Sequence, residues 1–92
     1  MIDCAKAKFK LGQVVGTPGA REIEWAELND ALQRHINGDW GNVDADDKKA
    51  NDDALVNGER LLSAYTTKSG TRFWIITERD RSVTTILLPE EY

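Results

Sequence analysis

A single cysteine, Cys4, a single histidine, His35, and two prolines, Pro18 and Pro89, stand in this chain of 92 residues. The lone thiol excludes an internal disulfide, on which small secreted domains usually depend, and so points to a reducing cytoplasm. One His and one Cys cannot build a tetrahedral zinc site. The longest apolar run, Ile86 to Leu88 with its flanking threonines, is far short of the roughly 18 residues of a spanning helix, and no signal-peptide pattern opens the chain. A glycine-rich phosphate loop, a nucleophile elbow and a Cys/His pair at usable spacing are all missing. The chain is therefore expected to carry no cofactor and no metal and to stay off the membrane.

What is present is an ordinary globular composition, 40% hydrophobic and 30% charged. A chain this short buries only about 60 to 65% of the surface it exposes when unfolded, enough for one core, so residues 1–92 are read as one domain. Three β-rich runs dominate its last third: Arg60 to Tyr65, Thr71 to Thr77 and Ser82 to Leu88. The short breaks between them, at 67–70 and 78–81, mark an antiparallel meander. In its central run Phe73 and Ile75 point one way and Trp74 and Ile76 the other, so that strand needs cover on both faces. The N-terminal segment, the C-terminal Pro89 to Tyr92 and a second chain are all candidates for the further face.

Lys8 to Val15 alternates loosely and reads as a short strand. Thr17 and Pro18 read as a helix start, shortened by Gly19 to one or two turns. From Ala26 to Ile36, Leu28, Ala31, Leu32, His35 and Ile36 recur at steps of three and four, the mark of an amphipathic helix that Asn37 and Gly38 end. Asp44 or Asp46 caps a further helix closed by Gly58, with a light apolar face of Ala50, Ala54, Leu55 and Val56. The expected fold is α+β: a short N-terminal strand, two to three short helices, then a three-stranded meander with the helices on one face.

Charge is uneven along the chain. The net value is −4, and six aspartates, Asp39, Asp44, Asp46, Asp47, Asp52 and Asp53, crowd one stretch against Lys48 and Lys49. The start is basic, with Lys6, Lys8 and Lys10 against Asp3. Counterion release needs a clustered basic surface, so direct nucleic-acid binding is not expected. The aspartates form either a solvated helix face or an acidic docking patch. Asn42, Asp44, Asp46 and Asp53 resemble a calcium loop only superficially, because Asp47 stands where the sharp turn demands glycine and no glutamate closes the loop.

His35, Asp39 and Trp40, set around Gly38 and Gly41, are the most chemically loaded segment. They read either as a ligand-orienting set or as core histidine, core tryptophan and turn-capping aspartate. An enzyme reading has to use scattered residues: His35 as acid or base with Arg72, Glu78, Arg79 and Arg81, the kit of a small barnase-like or toxin-type ribonuclease.

The segments FKLGQVVGTPGA (9–20), RHINGDWG (34–41), DKKAN (47–51), RLLSAY (60–65) and GTRFWIITERDRSVTTILLPEEY (70–92) together resemble a family of small plasmid-, integrated-element- and phage-borne proteins. Members are labelled "plasmid-related protein" or type I restriction endonuclease subunit M. The second label does not fit the residues, since a methyltransferase needs an Asn/Asp-Pro-Pro-aromatic motif and Pro18 and Pro89 lie in no such context. The resemblance implies the company of mobile DNA and host defence, and no reaction. The function expected is a non-enzymatic, cytoplasmic interaction module. It would inhibit a host CRISPR or restriction complex through Asp39, Asp44, Asp46, Asp47, Asp52 and Asp53, with Trp40 as apolar anchor. A homodimer that buries the spare sheet face is the other partner expectation.

Overall fold

The structure is a computed structural model that describes residues 7–92; Asp3, Cys4 and Lys6 lie outside them. The meander forms as the alternation predicts. Its strands β2 (Leu61–Thr66), β3 (Arg72–Thr77) and β4 (Val83–Leu87) pair antiparallel, with Ala64 opposite Trp74 and Ile75 opposite Ile86. β-branched and aromatic residues fill β3, where their stiff side chains suit a pleated surface. The β2–β3 turn closes with Gly70 at φ 94° and with the Thr67 hydroxyl accepting the Thr71 amide at 3.0 Å.

A fourth strand completes the sheet. β1 (Gln13–Gly16) lies parallel to β4, giving the order β1-β4-β3-β2. It is shorter than the expected run from Lys8 to Val15, and the reason is local. Lys8 turns its amide to the Ile36 carbonyl at 2.7 Å, and Gly12 takes φ 66°, pressed so closely on Ser82 that an added Cβ would drive into the Ser82 carbonyl. The strand therefore starts only beyond Gly12.

The expected helix after Thr17 is a single 3-10 turn, Ala20–Glu22. Ile23 returns to an extended conformation and ends it. Helix α1 (Trp25–Ile36) follows, one residue longer at its start than the apolar spacing indicates. It lays Leu28, Ala31, Leu32 and His35 on the face of the sheet that carries Tyr65, Phe73, Ile75 and Ile86. Leu32 and Ile36 are each only 1% exposed, and burying such side chains contributes on the order of 1.5–3 kcal/mol apiece.

Helix α2 (Ala45–Asn57) is capped at its start by the Asp44 carboxylate, which accepts the Asp47 amide at 2.8 Å, and closed by left-handed Gly58. Its expected apolar face is only partly used. Ala54 is buried and Leu55 half-buried, but Ala50 is exposed and Val56 is 84% exposed. What docks α2 is polar. Asn51 donates to the Leu62 carbonyl at 2.7 Å and accepts the Leu62 amide at 3.0 Å, so its side chain pairs with the outer edge of β2 as a neighbouring strand would. Farther along that edge, Ala64 exchanges bonds with Trp40 and Asn42. Gly41, at φ 75°, lies so close there that a Cβ would meet the Ala64 carbonyl. The β2 edge is thus occupied at Leu62 and Ala64, which removes most of a template for stray strand pairing.

The further sheet face carries Leu62, Ala64, Trp74, Ile76, Thr85 and Leu87, and no helix among the described residues packs on it, although Ile76 and Leu87 are only 4% and 5% exposed. The chain's own C-terminal segment covers it in part. The 3-10 turn Pro89–Glu91 folds back, and Tyr92 meets Trp74 edge-on at 5.6 Å and accepts a hydrogen bond from Arg60 at 2.8 Å. The Glu91 carboxylate holds the turn in place, accepting from the Thr17 hydroxyl at 2.5 Å, the Gly19 amide at 3.0 Å and the Leu88 amide at 2.9 Å. The radius of gyration, 12.2 Å, is that of a compact chain of this length, about 12 Å. Among the described residues no helix is long and apolar enough to cross a membrane.

Candidate functional site

The three- and four-residue spacing of α1 turns His35 inward, where it has no exposed surface. Both ring nitrogens meet hydroxyls: Nδ1 lies 2.5 Å from Ser63 Oγ on β2 and Nε2 lies 2.9 Å from Thr77 Oγ1 on β3. Thr77 Oγ1 lies 2.8 Å from the Thr84 hydroxyl, which donates to the Leu11 carbonyl at 2.6 Å. One helix and three strands are thus joined to the segment before β1 by a buried polar chain in which every member has a partner. Burial, and then the positive charge of Arg81, push the His35 pKa down to about 3, so the ring is neutral near pH 7. A ring with no open surface has no route to a phosphate in solution.

Of the other members of the ribonuclease kit, Arg81 comes near it across the Phe9 ring, and the kit as a whole does not gather around it. Arg81, at φ 60°, donates to the carbonyls of Glu59 (2.6 Å), Glu78 (3.1 Å) and Ala54 (3.4 Å). It thereby fastens the β3–β4 turn to the C-terminal end of α2, where a helix leaves carbonyls without partners and favours a cation. Its guanidinium also lies 5.6 Å from the centre of the Phe9 ring. Glu78 and Arg79 share the same end of β3, beside Arg60. Arg72 opens the strand at the opposite end, roughly 17 Å away at about 3.3 Å per residue. The five residues expected to work together occupy two strand ends and the core.

Trp40, expected as an exposed anchor, is corrected by its burial: it is 2% exposed and packs against Phe9, Ala54 and Leu61. Its ring lies 6.3 Å from Phe9 in a stacked pair and 5.7 Å from His35 edge-on. A side chain already enclosed by its own protein offers no surface to another. Its indole N–H donates to Asp52 at 2.9 Å, the polar contact a buried tryptophan needs.

The aspartates divide by duty. Asp39 pairs with Arg34 at 2.8 Å and accepts the Gly41 amide at 3.2 Å, and the Arg34 contact holds its carboxyl below the usual range. Asp44 is the α2 cap. Asp52 accepts the Trp40 indole, which lowers its pKa, and lies 3.6 Å from Lys48. Asp53 lies 3.2 Å from Lys49. These lysines precede their aspartates by four residues, the weaker orientation for a helical pair. Asp46 and Asp47 project from the first turn of α2, their carboxylates in no ion pair among the described residues. One exposed helix therefore presents a carboxylate surface that its own lysines only partly neutralise. Among the described residues no group of three or more His, Cys, Asp or Glu is placed to hold a metal ion.

A second feature went unread in the sequence. Glu24, Glu27 and Asp30, at steps of three, bank a groove between α1 and the β2–β3 turn. Their spacing on one helical flank was the available signal.

Comparison with protein-family models, with curated proteins and with solved structures finds no match for this chain.

Proposed function

We propose that this chain is a non-enzymatic protein-interaction module, a cytoplasmic accessory protein of a plasmid or phage that engages a nucleic-acid-handling host complex of the CRISPR or restriction kind. The observation that carries the reading is α2. It is fixed at both ends by Asp44 and Gly58 and clamped in the middle by Asn51, while it buries only Asn51 and Ala54, half-buries Leu55 and gives its remaining residues to solvent. A stiff, carboxylate-bearing helix suits a basic groove built for phosphates, and attraction between opposite charges over long range speeds the encounter. The resemblance to mobile-element proteins supports the setting. Trp40 has no part in the contact, so the affinity is electrostatic in the main.

The test is binding of the purified chain to reconstituted CRISPR and restriction complexes at low and high salt. Association is expected to weaken as salt rises and to fall further in the triple variant Asp46→Asn/Asp47→Asn/Asp53→Asn. An affinity indifferent to salt and to these substitutions would remove the acidic-surface reading.

A further inference from the structure

We propose that the groove along α1 is a docking site for an extended, lysine- or arginine-rich segment of a partner protein, separate from the surface of α2. Two open depressions, of about 490 and 370 Å³, join at Ala26, Glu27, Thr67 and Lys68. Their lining includes apolar groups, Ile23 and Leu88 in one and Ala31 and Phe73 in the other. Along one side stand Glu24, Glu27 and Asp30, and along the other the β2–β3 turn. From Trp25 to Arg34 the helix side measures about 14 Å at about 1.5 Å per residue. An extended segment at about 3.3 Å per residue would place about four residues along it.

Charge selects the occupant. The lining holds the carboxylates of Glu22, Glu24, Glu27 and Asp30 against two cations, Lys68 and Arg34. Arg34 is already held by Asp39 at 2.8 Å and lies over the Tyr65 ring at 4.9 Å, so it leaves the groove negative. Carboxylates at a helix start also serve the helix dipole, and Glu27 sits where that effect acts. Asp30 lies beyond the first turn and still falls on the same flank, so the dipole does not account for the whole row. In an extended chain alternate side chains share a face, and the matching pattern is a basic residue at every second position with small apolar residues between. The long stems of lysine and arginine cover apolar surface while their heads reach the carboxylates.

The test is titration of the full chain with a short fluorescein-labelled peptide alternating lysine with alanine, followed by anisotropy, with the glutamate-for-lysine peptide as control. Saturable binding of the lysine peptide alone is expected. It should weaken by about tenfold or more, about 1.4 kcal/mol or more in binding, in Glu24→Gln/Glu27→Gln/Asp30→Asn. It should be lost in Ala26→Trp, which fills the exposed junction of the two depressions without altering charge. The variant Asp46→Asn/Asp47→Asn should bind as the parent does. No saturation, equal binding of the two peptides, or full binding by a folded Ala26→Trp variant would overturn the proposal. So would loss confined to the α2 variant, a result that leaves the reading of α2 standing.

Discussion

His35 is a titratable group held neutral by its surroundings, and that links its proton to folding. The unfolded chain takes up this proton near pH 6.5, whereas in the folded protein burial and then Arg81 postpone uptake to about pH 3. Between those values the unfolded state binds more protons, so stability is complete above about pH 6.5, falls as pH drops through the window, and levels off near pH 3. One such group gives a limiting slope of about 1.4 kcal/mol per pH unit. Denaturant unfolding at a series of pH values should show the loss, and His35→Gln should flatten that part of the profile even where it lowers stability throughout. An unchanged slope in the variant would assign the acid sensitivity to other groups. The inward position of His35 was legible, because Leu28, Ala31, Leu32 and Ile36 mark the helix face on which it falls. Its two hydroxyl partners were not, since Ser63 and Thr77 reach it only through strand register. The work of Arg81 was equally hidden: its charge suggested a role in chemistry, and only the packed fold brings it against the end of α2.

Helix α2 and strand β2 depend on one another through a single side chain. Asn51 is 6% exposed and meets both backbone groups of Leu62. Asn51→Ala would strip both partners at once and is expected to cost about 2 kcal/mol, measured by chemical denaturation, with greater aggregation of the variant as the edge of β2 opens. Stability and solubility equal to the parent would show that the clamp is dispensable. The helices were readable from caps and periodicity, including Asp44, Gly58 and the end of α1 at Asn37. The polar docking of α2 was not readable, because an asparagine within a helix of aspartates and lysines looks like one more solvated residue. Strand β1 was placed too early for a comparable reason: Lys8 to Leu11 alternate acceptably, but the strained turn at Gly12 follows from contact with Ser82, which lies at the far end of the chain.

At the scale of the whole molecule the sheet is two-sided and unequally covered. The described helices take one face, and on the other Pro89 to Tyr92 are laid over Trp74. Tyr92 is itself 66% exposed, so the cover over Trp74 is thin. Tyr92→Ala is expected to leave the core near His35 intact while uncovering Trp74. Sedimentation across a range of protein concentrations should then report self-association in the variant beyond that of the parent. Identical behaviour of the two proteins would mean that the remaining surface is polar enough to stand alone. The need for cover on both sides of β3 could be seen in its continuous apolar run; which segment supplies it depends on the chain reversal after Leu88, fixed by Glu91 binding Thr17 and Gly19 across most of the sequence.

The pairing of β1 with β4 also sets an order of events during synthesis. The first strand leaves the ribosome long before its sole neighbour is translated, and Thr17 waits about as long for the carbonyl of Ile86, 69 residues on. A nascent chain of this protein can assemble α1 and the first hairpin before β4 emerges, but its sheet is closed only once β4 follows. Contacts of such wide separation slow folding, and a ribosome stalled before β4 would hold a chain whose two exposed valines, Val14 and Val15, have nothing to pair with.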